Sequence, residues 1–139
     1  MAITWSTILN YADLAKQRFA DFILVLLNSR QHKIYLAANL LANLFVWAAS
    51  AVVYRLAAQG TLILHYNVDF GVDYLGEGYN VFLLPVSATV VLALNFYLVY
   101  AVSRYRPDKI ISNLLFAGAL AVNLLILVSE YFLYLINYQ

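Results

Sequence analysis

Leu64–Asn80 reads Leu-His-Tyr-Asn-Val-Asp-Phe-Gly-Val-Asp-Tyr-Leu-Gly-Glu-Gly-Tyr-Asn, a short polar stretch that parts two long apolar ones. It carries His65, Asp69, Asp73 and Glu77, which are three of the seven acids and one of the two histidines. Gly71, Gly76 and Gly78 are three of the five glycines. The flanking residues are apolar enough to belong in lipid. A recognition or chemical site is therefore expected in this stretch before anywhere else.

Working outward, Ile34–Ala58 is long and apolar, with neither proline nor glycine. Val81–Val102 follows the polar stretch and has Pro85 near its start, where a missing N–H costs least. Ser103–Lys109 is a short basic turn, and Pro107 within it prevents one continuous helix. Ile110–Leu135 is a third apolar run. A bilayer needs about 20 apolar residues per helix, and each run supplies them. The chain is thus read as an all-α integral membrane protein, with a transmembrane domain over 34–139. Its spans are 34–58, 81–102 and 110–135, joined by loops 59–80 and 103–109.

Residues 1–33 have a different character. Trp5, Ile8, Leu9, Ala12, Phe19, Ile23 and Leu26 recur at helical steps, with Asn10, Asp13, Gln17 and Asp21 on the opposite face. That pattern predicts an amphipathic helix over Trp5–Leu27, capped by Thr4 or Ser6. Its apolar run Phe22–Leu27 is too short to span, so the helix is expected to lie in the membrane interface or to pack on a partner. Asn28–Lys33 is expected to be a turn. No signal peptide is expected, because the first residues lack a basic region and a cleavage site.

Composition agrees. Of 139 residues, 65% are hydrophobic and only 11% charged, against about 25% charged in a soluble domain. The net charge of +1 is too small and too dispersed to track nucleic-acid phosphates. With no cysteine, disulfides, thiolate catalysis and thiolate metal sites are excluded. The eight cations divide seven to one: Lys16, Arg18, Arg30, Lys33, Arg104, Arg106 and Lys109 on one side of the three spans, Arg55 alone on the other. Cations are retained in the cytoplasm, so the N-terminus is expected inside, and the C-terminus with loop 59–80 outside.

Polar residues within the spans follow helical steps. Asn39, Asn43, Trp47, Ser50 and Tyr54 share one face of the first span. Ala88 aligns with Asn95 in the second, and Ala119, Asn123 and Glu130 align in the third. Such faces should turn inward and exchange hydrogen bonds, each worth about 1 kcal/mol; a polar pathway for an ion or substrate is the alternative. Arg55 and Glu130 fall at similar depth and are expected to form a structural ion pair or to snorkel separately; a proton- or cation-binding carboxylate is the functional alternative. On the ion-pair reading, reversing Arg55 alone impairs accumulation and reversing both restores it.

Within the polar stretch, His65, Asp69 and Asp73 are spaced by four, as three ligands on one helix face would be. Imidazole and carboxylates suit zinc, manganese or iron. Gly71 interrupts such a helix and no supporting donors are evident, so no metal site is expected. The competing picture is a compact surface or re-entrant loop with glycines at positive φ. Tyr66, Phe70, Tyr74 and Tyr79 would then dip into the interface or cover a neighbour. No Ser/His/Asp set, phosphate-cradling loop or nucleotide motif is apparent, so neither an enzyme nor a cofactor is expected.

His65, Tyr66, Asn67, Gly71, Asp73 and Gly76, followed by Leu83-Leu84-Pro85, resemble a motif of a widespread bacterial membrane family of unknown function. The same module forms the front part of Sdp-type toxin-immunity proteins. This chain has Ile63 where that family has proline, places Gly71 one residue late, and lacks a lysine near Gly78. The likeness is nearer to small bacterial membrane proteins with His-Tyr-Asn, then Phe-Gly-x-Asp and glycine. It covers about Ile34–Val102. It implies a bacterial cytoplasmic membrane protein with the motif loop outside and an immunity or accessory role.

The reading that follows is a non-enzymatic accessory or structural subunit of a larger membrane assembly. Its expected partners are the lipid bilayer and other membrane subunits or further copies of itself. His65, Asn67, Asp69, Asp73 and Glu77 are its expected binding residues. A stand-alone receptor-like or toxin-immunity protein is the alternative. A small ion-coupled carrier using Asn95, Asn123 and Glu130 is the third.

Overall fold

The computed structural model describes residues 5–27, 29–57, 60–67, 69–105 and 109–138. In chain order these form α1 (Trp5–Leu27), α2 (Arg30–Leu56), β1 (Thr61–Asn67), β2 (Gly71–Glu77), a 3-10 segment (Gly78–Phe82), α3 (Leu83–Tyr105) and α4 (Lys109–Tyr138). Three helical stretches, Arg30–Leu56, Gly78–Ser103 and Lys109–Tyr138, are long and apolar enough to cross a membrane. At 1.5 Å per residue, the 30 residues of α4 reach about 45 Å, ample for a hydrocarbon core of about 30 Å. The expected caps of α1, Thr4 and the Ser6 side chain, lie outside the described residues, as do 106–108 of the basic turn.

The expected Asn28–Lys33 turn is shorter than the sequence suggested. Ser29 caps α2, its Oγ accepting the His32 backbone N–H at 3.0 Å, so helix begins at Arg30. His32 then reaches back to the Val25 carbonyl, with Nδ1 at 3.2 Å. A carbonyl can only accept, so Nδ1 carries the proton. One of the last free carbonyls of α1 is thereby satisfied. Only the final turns of α1 pack well: Leu26 is buried, Phe22 and Val25 lie against the core, and Phe22 meets Tyr100 edge-on at 5.6 Å. Its described side chains from Ile8 to Asp21 are all exposed.

The three long helices form a bundle whose directions can be read from residue pairs. Asn39 meets Phe116, Asn43 meets Asn123, Ser50 meets Glu130 and Tyr138 meets Val53. The numbers rise together, so α2 and α4 run in the same direction. Thr89 of α3 meets Asn43 and Trp47, while Phe96 meets Phe116, so α3 runs against both. Two apolar layers result. Near α1, Leu26, Leu92, Phe96, Val99, Phe116 and Ala119 close together, with Tyr35 stacked on Phe116 at 5.7 Å. Toward the strands, Val53, Ala57, Leu62 and Val81 form the second layer.

The all-α expectation is corrected in one place: the loop between the first two spans is a β-hairpin. β1 and β2 pair antiparallel, from Thr61 opposite Glu77 to Asn67 opposite Gly71, with an irregularity around Leu64. Thr61–Asn67 mixes β-branched, apolar and aromatic residues that favour a pleated strand. The reversal has its own chemistry. Asn67 Oδ1 accepts the Asp69 N–H at 2.8 Å, a side-chain turn that replaces a backbone one. Gly71 then takes φ +78°, the left-handed position that closes a three-residue hairpin loop. Gly71 alone among the described glycines has positive φ.

Candidate functional site

The hairpin stands over one end of the bundle because its lower part is tied to helices. Leu62 is buried in the second apolar layer. Beside it, Asn137 in the last turn of α4 acts as a clamp. Its Oδ1 accepts the Ile63 N–H at 2.8 Å and its Nδ2 donates to the Ile63 carbonyl at 2.9 Å. One carboxamide thus satisfies both backbone groups of a strand residue, as a neighbouring strand would. Nδ2 also donates to the Leu133 carbonyl at 2.8 Å, which fixes the amide's rotation. The sequence reading missed this residue. An asparagine in the final turn of an apolar helix was its only signal.

Of the expected binding residues, the structure brings together two. His65 Nδ1 lies 2.6 Å from Asp73 Oδ1 across the hairpin, with both side chains exposed. The spacing of four resembled a helix face, but the real geometry is a cross-strand pair. Asp69 sits at the turn, where its backbone is held by Asn67. Asn67 is therefore a structural residue of the turn, and Glu77 ends β2 opposite Thr61. Among the described residues no three His, Cys, Asp or Glu side chains gather as a metal would need. An exposed pair such as His65–Asp73 contributes about 1 kcal/mol at most.

Beneath the hairpin runs a groove of about 440 Å³, open to one side. Leu64, Leu84, Phe132 and Ile136 line it, with His65 and Tyr74 among its polar lining. Gly76 helps to shape it. A Cβ there would collide with the Leu64 side chain and stand 2.8 Å from Asn80 Nδ2. β2 itself is uncovered along most of its length. Val72, Tyr74 and Leu75 are exposed, and Phe70 at the tip is 84% exposed.

Between the two apolar layers lies a polar belt. Asn43 Nδ2 donates to Asn123 Oδ1 at 3.1 Å, and Trp47 Nε1 donates to Thr89 Oγ1 at 3.1 Å. The Thr89 hydroxyl is within reach of the Pro85 carbonyl at 2.7 Å and of Asn43 Oδ1 at 3.2 Å. Asn123 Nδ2 donates to the Ala119 carbonyl at 2.9 Å. Asn39, nearer α1, donates to the Tyr35 and Phe116 carbonyls at 2.9 and 3.2 Å. The inward-facing stripe of α2 is therefore present in its Asn39, Asn43 and Ser50 members, all buried. Trp47 and Tyr54 flank it, half exposed, with their rings on Phe82. Asn95 departs from the expectation. It is half-buried and donates to Val91 of its own helix at 2.9 Å, as a lone carboxamide in a helix can.

The expected Arg55–Glu130 pair does not form. Arg55 is exposed, and Glu130 accepts the Ser50 hydroxyl instead. Because α2 and α4 run parallel, the residue level with Glu130 is Ser50. Arg55 lies five residues further on, more than a helical turn. Glu130 Oε2, Asn39 Oδ1 and Asn113 Oδ1 are buried acceptors without a hydrogen-bond partner.

Comparison with known proteins finds no match: no family model fits the chain, and no curated protein or solved structure is similar to it.

Proposed function

We propose that the chain is a non-enzymatic integral membrane protein, an accessory or structural subunit of a larger assembly whose recognition surface is the hairpin. The carrying observation is the contrast between the two strands. β1 is fixed to α4 through Asn137 and buried at Leu62, while β2 leaves Val72, Tyr74 and Leu75 uncovered. A surface held rigid before binding loses little freedom on binding. Exposed aromatics are the residues that contribute most in contacts.

The distribution of cations supports an orientation with the hairpin outside and the α1 end inside, and the resemblance of the hairpin motif supports a bacterial cytoplasmic membrane. Helix α1 then lies along the inner interface. Its attachment by the last turns alone and its alternating apolar and polar faces are what an interfacial helix requires. The resemblance of the hairpin motif to the front module of immunity proteins supports a second reading. In it the protein stands alone, and an apolar peptide segment occupies the groove beneath His65 and Tyr74.

A photo-crosslinking side chain at Tyr74, combined with purification in gentle detergent, separates the readings. Stoichiometric adducts with one unrelated membrane subunit support the accessory role. Adducts confined to further copies of this chain, with nothing co-purifying, refute it.

A further inference from the structure

Glu130 belongs to neither the hairpin nor the groove beneath it. Its side chain is 1% exposed and lies about 12 Å from the end of α4, counting eight residues to Tyr138. Ser50 occupies Oε1 as a donor, and Oε2 has no partner. Glu130 also lines a separate apolar groove of about 240 Å³ between α2 and α4, with Ala49, Val52, Leu127, Tyr131 and Tyr134.

The surroundings offer no counter-charge. α2 carries no charged residue between Lys33 and Arg55, and Arg55 is exposed. α3 has no titratable side chain from Leu83 to Phe96. α4 itself contributes only the phenols of Tyr131 and Tyr134 to the groove. A bare carboxylate deep in hydrocarbon costs at least ~2.5 kcal/mol, and one hydroxyl donor offsets only part of that.

We propose that Glu130 is a proton-binding site reached through the groove between α2 and α4. Its carboxyl takes up one proton from water entering the groove and returns it to water, and no other bond changes. Ser50 holds the carboxyl in place by donating to Oε1. Such a site does not depend on what the hairpin binds.

Dicyclohexylcarbodiimide, an apolar reagent that adds to protonated carboxyls, tests this on the full chain in liposomes from mildly acidic to mildly alkaline pH. The expected result is one adduct per chain, mapped to Glu130 by peptide mass spectrometry of the wild type. Its rate should fall about tenfold per pH unit once most sites are ionised. Glu130→Gln should abolish it, and a water-soluble carbodiimide should leave Glu130 unmodified. An unmodified Glu130 at every pH overturns the proposal. So does labelling independent of pH, or equal reaction with the water-soluble reagent. Mapping on the wild type keeps the test valid even if Glu130→Gln accumulates poorly.

Discussion

Replacing Asn137 by alanine should loosen the hairpin without unfolding the bundle. The substitution removes an acceptor 2.8 Å from the Ile63 N–H and a donor 2.9 Å from its carbonyl. Each hydrogen bond contributes about 1 kcal/mol net, so their joint loss is about 2 kcal/mol, roughly thirty-fold in the equilibrium between docked and detached hairpin. The burial of Leu62 is untouched, which sets the limit of the effect. Hydrogen exchange of the full chain in detergent, followed by mass spectrometry, reads it directly. Peptides across 61–77 should exchange roughly thirty-fold faster, while α2 from Asn39 to Val53 keeps its protection. Asn137→Asp, which retains the oxygen acceptor and loses the donor, should fall between wild type and alanine. Unchanged protection over the hairpin would refute the clamp. An equal rise throughout the bundle would show that Asn137 holds the whole fold rather than this one strand.

Three further outcomes follow from the same contacts. A double-mutant cycle of Asn43→Val and Asn123→Val, read by unfolding in mixed micelles, should give a coupling of about 0.6 to 1.7 kcal/mol, and zero coupling would break the belt. Gly71→Val forces a β-branched residue into φ +78°, at a cost of about 1–2 kcal/mol. Limited proteolysis should then cut the 67–71 turn faster, with the helices still protected. Because Arg55 does not touch Glu130, the pair Arg55→Glu with Glu130→Arg should accumulate no better than Glu130→Arg alone, measured by immunoblot of membranes. Restored accumulation in the double variant would reinstate the ion pair.

Span-length apolar runs were legible because only long helices give residues such as Ile34–Ala58 so little to do in water. The inward stripe at Asn39, Asn43 and Ser50 was legible for a related reason. A carboxamide in hydrocarbon needs a partner, and helical steps say which face holds it. The hairpin was not. Its strands are seven residues each, and the acids at positions 69 and 73 happen to repeat at a helical interval. The deciding signals were local: Asn67 as a side-chain turn and Gly71 as the left-handed residue, both properties of four or five residues rather than of a periodic pattern. The Arg55–Glu130 pairing failed on register. Depth counted from span ends ignores where α2 and α4 meet, and their parallel alignment brings Ser50 level with Glu130.

That alignment also bears on whether the interior could conduct. The belt donors at Asn43, Trp47, Thr89 and Asn123 each face an acceptor within the bundle, so moving an ion through them would require breaking several bonds at once. Fully buried apolar side chains close both sides of the belt: Phe116, Ala119 and Val99 toward α1, and Val53, Leu62 and Val81 toward the hairpin. Asn95, the α3 member of any such path, is tied to its own helix by Val91. Glu130 differs because it lines the groove at the side of the bundle, between α2 and α4, and is not on the bundle axis. On the proposal above, a proton bound there exchanges with water that enters this groove. Covering that groove with a bulky side chain, Ala49→Trp, should therefore slow carbodiimide labelling of Glu130 while hydrogen exchange across Asn43 and Asn123 stays unchanged. Labelling as fast as in the wild type would mean that Glu130 is reached by another route, and the lateral path would have to be abandoned.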